Sequence, residues 1–187
     1  MQEYLKQLNK QIIDVIEQGK IIAYPTEAVF GLGCDPFNQA AVQRLKQLKR
    51  RPELKGLILI TDSIKKTYPL VAGISPEKMQ ELTPLWPGPV TYVFNANTKV
   101  PQWVCSQDNK IAIRVSSHPI VKAICQNFVY PLVSTSANYS GEAPAKTAAE
   151  VETMFGTQID LIVPGEVGSL ARPTKIIDTT TGQILRD

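Results

Sequence analysis

The sequence predicts an α/β fold: one domain spanning residues 1–187, built on a mixed sheet with flanking helices. Three observations lead there. Short β-branched runs bounded by proline, glycine or polar turns alternate with segments of helical period along most of the chain. Two late runs joined by Thr-Thr-Gly read as a hairpin, which makes the sheet mixed rather than wholly parallel. The 187 residues are 43% hydrophobic and 20% charged, enough to bury a substantial core without metal or disulfide staples.

The elements follow in order. Leu5, Leu8, Ile12 and Ile16 recur at steps of three and four, with Ile13 beside them, and predict a helix that Gly19 stops. Lys20–Tyr24 reads as a buried strand ended by Pro25. A helix follows Asn38, with Ala41, Leu45 and Leu48 inward and a basic last turn that suits its dipole. Gly56–Thr61 is a second buried strand. Ser75-Pro76-Glu77 gives an N-cap, a proline at the first helical position and an acid in the first turn of a helix reaching about Leu82. Val90–Phe94 and Ile111–Val115 are strands. Ser117 with Pro119 starts a helix through Phe128. Leu132–Ser134 is a short strand entering a polar turn. Thr147 and Glu150 make a capping box for a helix reaching Phe155. Ile159–Val163, Lys175–Thr179 and Gln183–Arg186 complete the strands.

Composition excludes several functions. The one histidine, His118, rules out a site built on several histidines. Cys34, Cys105 and Cys125 are odd in number and show no CxxC spacing, which argues against a zinc ribbon or a disulfide framework and fits reduced thiols in a cytoplasm. No run of about 18 apolar residues predicts a membrane span, and the N-terminus lacks the apolar centre of a signal peptide. The net charge is only +3, yet Arg44–Lys55 alone carries +5, leaving −2 for the rest.

Four places are candidates for chemistry. In Pro25–Gly33 a hydroxyl and a carboxylate, Thr26 and Glu27, follow a buried strand, and open α/β sheets bind ligands beyond strand ends. Gly31 and Gly33 permit close backbone approach, but Pro36 stands where a dinucleotide fingerprint needs its third glycine. The basic run from Arg44 to Lys55, interrupted by Pro52, suits phosphates; equally, it is a solvated helix end. Ser134-Thr135-Ser136-Ala137-Asn138 offers neutral donors and acceptors at a strand end. The alternative there is a turn satisfied by its own side chains. Arg114 interrupts an otherwise apolar strand, where an arginine needs a partner or an anion; a water-facing edge charge is the alternative. His118 reads as a helix-start residue rather than a catalyst.

Together these segments resemble the YrdC family. Pro25-Thr26-Glu27, Lys49-x-Arg51-Pro52, Ile113-Arg114-Val115 with His118-Pro119, and Ser134-x-Ser136-Ala137-Asn138-x-Ser140-Gly141 match it in order and spacing. Lys55–Ile60 and Trp86-Pro87-Gly88-Pro89 are similar to its short bacterial branch. The longer branch carries a histidine shortly after its counterpart of Lys55-Gly56-Leu57, so a threonine contact through that histidine does not transfer.

The resemblance implies an open, twisted sheet with a concave positive surface. It implies that L-threonine, bicarbonate or CO2, and ATP give threonylcarbamoyl-adenylate and pyrophosphate. The product then feeds modification of the adenosine beside the tRNA anticodon by proteins of the TsaB, TsaD and TsaE type. It assigns Lys49 and Arg51 to the triphosphate and to catalysis. Ser136, Asn138, Lys110, Pro144 and Arg186 fall to the nucleotide, and Thr26, Arg114, Ser134 and Thr174 to threonine, with Arg114 facing its carboxylate. Mg²⁺ arrives with ATP and needs no protein-held metal cluster. The carbamate carries its own negative oxygen, so no side-chain base is required. The alternative reading is a module that binds tRNA or double-stranded RNA through the basic run.

Overall fold

The computed structural model describes residues 2–50, 56–170 and 174–187. The chain opens with α1 (Gln2–Glu17), whose Ile12 and Ile16 are buried. Gly19 follows at φ +69°, a left-handed conformation that glycine adopts without a Cβ clash. β1 (Ile22–Pro25) starts two residues later than the sequence predicts and keeps Pro25 as its last member.

The chain then turns directly into β2 (Phe30–Gly33), antiparallel to β1. The sequence reading placed a loop there, since two glycines in four residues carry weak strand propensity. Pairing with β1 on one side and β6 on the other makes the strand instead. Gly33 serves packing rather than ligand approach: a Cβ there would lie 2.8 Å from the Tyr24 ring and 2.7 Å from the Val133 carbonyl.

α2 (Gln39–Leu48) is capped by Asn38, whose side chain accepts from the Ala41 N–H at 3.0 Å. It ends before Pro52, which lies outside the described residues; Arg50 has already left helical geometry at φ +50°. β3 (Ile58–Thr61) follows. α3 (Pro76–Leu82) is capped by Ser75 as predicted. β4 (Val90–Asn95) and β5 (Lys110–Val115) come next. α4 (Pro119–Cys125) begins after His118 rather than Ser117. β6 (Leu132–Ser136) runs two residues further than expected. α5 (Ala148–Phe155) has both halves of its capping box. β7 (Leu161–Ile162) is shorter than predicted, and β8 (Lys175–Asp178) and β9 (Ile184–Arg186) form the late hairpin.

The strands form one sheet in the order β7-β1-β2-β6-β3-β5-β4-β8-β9. The β1–β7, β3–β5 and β4–β8 pairs are parallel and the others antiparallel. α2, α3 and α5 pack on one face, where Leu45, Met79 and Val151 meet Leu59, Ile113 and Val133. α1 and α4 pack on the other, against Ile22, Tyr24, Ile60 and Leu132.

That second face is only partly covered. Side chains alternate along a strand, so Ile58, two residues from Ile60 on β3, shares its face. Register extends the row: Ser134 pairs with Ile58, Ile58 with Ala112, Ala112 with Val93, and Val93 with Asp178. All five line an open cavity. The cavity floor is therefore the part of the sheet face that α1 and α4 leave uncovered.

Candidate active site

The cavity measures about 860 Å³, within the usual range of small-molecule sites, about 300–1,000 Å³. It lies over a sheet face. The sequence reading expected a ligand beyond strand ends, as in sheets covered by helices on both sides; here one face is left open.

β5 supplies the cationic wall. Lys110, Ala112 and Arg114 point into the cavity, while Ile111, Ile113 and Val115 are buried in the core. Arg114 is itself buried, and its Nη1 donates to Thr174 Oγ1 at 2.9 Å. Arg186 reaches the same residue from β9, its Nε and Nη2 donating to the Thr174 carbonyl at 3.0 and 2.7 Å. Two guanidinium groups thus converge on one threonine at the cavity wall. Thr26 lines the opposite side at the end of β1. Its hydroxyl donates to the Val29 carbonyl at 2.7 Å, which leaves the oxygen able to accept.

Ser134, Ser136, Asn138 and Pro144 also line the cavity. Ser136 Oγ donates to Asn138 Oδ1 at 2.6 Å. The Asn138 amide donates to the Tyr139 and Glu142 carbonyls at 2.9 and 2.8 Å. This loop is held by its own side chains and by Lys49. The buried Lys49 ammonium donates to the Ser136 carbonyl, to the Asn138 carbonyl at 2.8 Å and to Asn138 Oδ1 at 3.2 Å. Lys49 does not line the cavity; it supports the loop that does. Arg51 lies outside the described residues, as does Lys55.

The remaining described cations of the basic run also have protein partners. Arg44 Nη1 pairs with Asp160 at 2.5 Å, Lys46 donates to the Trp103 carbonyl at 2.6 Å, and Arg50 stacks 4.6 Å from the centre of the Tyr139 ring. The described cations of a run that reads as a phosphate patch are employed in holding loops and helix ends.

Lys110 is both paired and in the cavity. Its ammonium meets Asp178 at 2.5 Å and Asp108 at 3.6 Å. The hydrogen bond to Asp178 raises the Lys110 pKa above the ordinary lysine value. Burial pulls the Asp178 carboxyl up, but Lys110 and the Thr180 and Thr181 N–H groups together hold it below the usual carboxylate range. The sequence reading passed over Asp178. The period of two through Thr174, Ile176 and Asp178, all cavity residues, would have found it. Ser106, Asp108 and Thr181 were missed too; they sit on loops, where no period marks a face.

His118 precedes α4, and its Nε2 lies 3.2 Å from the Glu166 carbonyl. The cysteines do not line the cavity, and burial pushes the Cys125 thiol up to about 12, which leaves it protonated and poorly nucleophilic. Among the described residues, no group of three or more His, Cys, Asp or Glu is placed to hold a metal ion, and no helix is long and apolar enough to cross a membrane.

The fold and site define a small-molecule-binding α/β protein: an open mixed sheet whose bare face joins paired arginines to a preorganised Ser/Asn loop. The family model for Sua5, YciO and YrdC, described as "Telomere recombination", matches residues 14–187, and the chain belongs to that family. A threonylcarbamoyl-AMP synthase of Coxiella burnetii is 45% identical over 186 residues, covering 100% of both chains. One from Xanthomonas oryzae pv. oryzae is 45% identical over 177 residues, covering 94% of this chain and 95% of the other. Among solved structures, P. abyssi Sua5 complexed with L-threonine superposes with a TM-score of 0.86 at 28% identity. The match covers 94% of this chain and 52% of that one, so this chain spans about half its length.

Proposed function

We propose that this chain is an L-threonylcarbamoyladenylate synthase, converting L-threonine, bicarbonate or CO2, and ATP into threonylcarbamoyl-AMP and pyrophosphate. The observation that carries the reading is the joining, in one cavity, of the Arg114–Thr174–Arg186 wall with the Ser136–Asn138 loop. Similarity to curated threonylcarbamoyl-AMP synthases along the whole chain supports it.

In this reading Arg114 holds the threonine carboxylate, with Thr26, Ser134 and Thr174 around the amino acid. Ser136, Asn138, Lys110, Pro144 and Arg186 surround the nucleotide, and Lys49 acts through the loop it ties down. Arg51 completes the triphosphate contacts. A threonine carbamate oxygen attacks the α-phosphorus, a P–O bond forms, and the bond to the β-phosphate oxygen breaks with pyrophosphate leaving. Negative charge grows on phosphate oxygens, so alignment and fixed cations lower the barrier most. The attacking oxygen already carries negative charge, so no proton need be removed in this step. The amine protons are lost earlier, when the neutral threonine amine adds CO2 with release of a proton, or bicarbonate with release of water, to form the carbamate.

Mg²⁺ accompanying ATP supplies charge neutralisation on the phosphates. The donor set fits that role. Of the three acidic residues lining the cavity, Asp108, Glu142 and Asp178, two are paired with Lys110. The three form no group placed to hold a metal ion, so the ion would rely on phosphate oxygens and water as ligands. The product is a mixed anhydride that an acceptor must consume. The family resemblance makes that acceptor the adenosine beside a tRNA anticodon, served by TsaB-, TsaD- and TsaE-type proteins in a cytoplasm.

The test is pyrophosphate release from ATP incubated with the chain. Release that requires both threonine and bicarbonate is expected; release indifferent to either would overturn the reading.

A further inference from the structure

Behind the cavity wall, Arg114 joins a buried polar network whose other members, Glu27 and Ser116, the reaction above does not use. Thr26 and Ala28 line the cavity but Glu27, between them, does not. Glu27 Oε1 accepts from Ser116 Oγ at 2.6 Å. Ser116 Oγ in turn accepts from the His118 N–H at 3.1 Å, at the start of α4. Glu27 Oε2 lies 3.6 Å from Arg114 Nη2 and has no hydrogen-bond partner. Glu27, Ser116 and Arg114 are 6%, 0% and 7% exposed.

A carboxylate at that depth is costly unless it is paired. Its partner here is the guanidinium that faces the cavity, met through one oxygen at ion-pair distance. The backbone fixes Glu27 independently. The Leu170 N–H donates to the Glu27 carbonyl at 3.2 Å and the Gly168 N–H to the Thr26 carbonyl at 2.9 Å. A Cβ on Gly168 would come within 2.6 Å of the Glu27 carbonyl oxygen, so a glycine is needed for that segment to lie so close. Glu27 thus has a fixed backbone and one hydrogen-bonded oxygen, leaving the other toward Arg114.

We infer that Glu27 is a positioning residue for carboxylate recognition: it holds the Arg114 guanidinium from behind, through Nη2, while Thr174 holds Nη1. The fork is then fixed before substrate arrives, with donor capacity left on both nitrogens for an incoming carboxylate. The inference rests on threonine being the substrate. It assigns Glu27 control of affinity for the amino acid and little control of affinity for ATP.

Calorimetric titration of L-threonine and of ATP, separately, into the wild-type chain and into Glu27→Gln tests this. Glutamine keeps the shape and the Ser116 bond but removes the charge facing Arg114. Threonine affinity is expected to fall at least about tenfold, as when one partner of a buried pair is altered, with ATP affinity within about twofold. Glu27→Asp, which keeps the charge, recovers part of the loss. Ser116→Ala, which frees Glu27 without discharging it, shows a smaller loss in the same direction and serves if Glu27→Gln fails to fold. Equal losses for both ligands, or undiminished threonine affinity in the variants, overturns the inference alone. A wild-type chain that binds ATP but not threonine overturns the substrate reading, and the inference with it.

Discussion

The chain carries its cations in two ways. Arg114 is a single arginine on an apolar strand, buried, and set into a cavity wall by Glu27 and Thr174. The Arg44–Arg50 run is a cluster in sequence, yet its members serve three separate places: Arg44 goes to Asp160, Lys46 to the Trp103 carbonyl, and Lys49 and Arg50 to the Ser136–Tyr139 segment. Charge gathered along a chain is not charge gathered in space, because successive helix positions point about 100° apart. A strand does the opposite, placing every second residue on one face.

The sharpest way to break this contrast is Arg114→Ala. It strands Glu27 as an uncompensated buried charge, a change that costs about 3–5 kcal/mol. Thermal unfolding should show a large loss, and threonine-dependent pyrophosphate release should fall at least about a hundredfold. Arg114→Lys should recover little activity, since a point charge cannot reproduce a planar fork. Restoration by lysine would mean that Arg114 acts through charge alone.

Lys49→Met comes next. It removes the donor to two carbonyls and one amide oxygen, but Asn138 Oδ1 keeps its bond from Ser136 Oγ and the Ser136 carbonyl keeps that from the Asn138 N–H. The cost is therefore about 1–3 kcal/mol for the Asn138 carbonyl. Raised KM for ATP, by about tenfold, with a smaller change for threonine is the expected kinetic result. Reversed selectivity would place Lys49 in the same role as Arg114.

Lys110 is the intermediate case, paired and also facing the cavity. The Asp178 pKa is held below its ordinary value, so the stability it contributes is present above the normal carboxylate range, about pH 4, and is lost as pH falls through the lowered pKa. The gap in melting temperature between wild type and Asp178→Asn should be level from about pH 5 to 8 and shrink below about pH 4. A gap that shrinks on the alkaline side instead would point to Lys110 as the group that matters. Arg44→Ala should do least: within about 1 kcal/mol of stability, as exposed pairs are, and no change in KM for either substrate.

How much of this was legible beforehand follows the same division. Period and capping marked nearly every helix and strand, down to the Thr147–Glu150 box. β2 was missed because Phe30–Gly33 becomes a strand through partners on both sides, not through propensity. Arg114, Thr26 and the Ser136–Asn138 loop stood out as polar interruptions of apolar segments. That Lys49 serves the loop could not be read, since its acceptors lie nearly ninety positions away. Nor could the Glu27–Ser116–Arg114 network, which joins β1 to β5 across strands that are not neighbours.

The late arrival of β8 and β9 has a consequence for synthesis. Most of the sheet, with Thr26, Arg114 and the Ser136–Asn138 loop, has been translated before Thr174, Asp178 and Arg186 emerge. Until then Arg114 has its Glu27 counterion but not its Thr174 acceptor. A nascent chain that has not yet exposed β8 therefore lacks Asp178 from the cavity floor as well as the Thr174–Arg186 wall. A chain stalled through a C-terminal extension long enough to clear β9 from the exit tunnel is expected to capture ligand, and one stalled with β8 and β9 still enclosed is not.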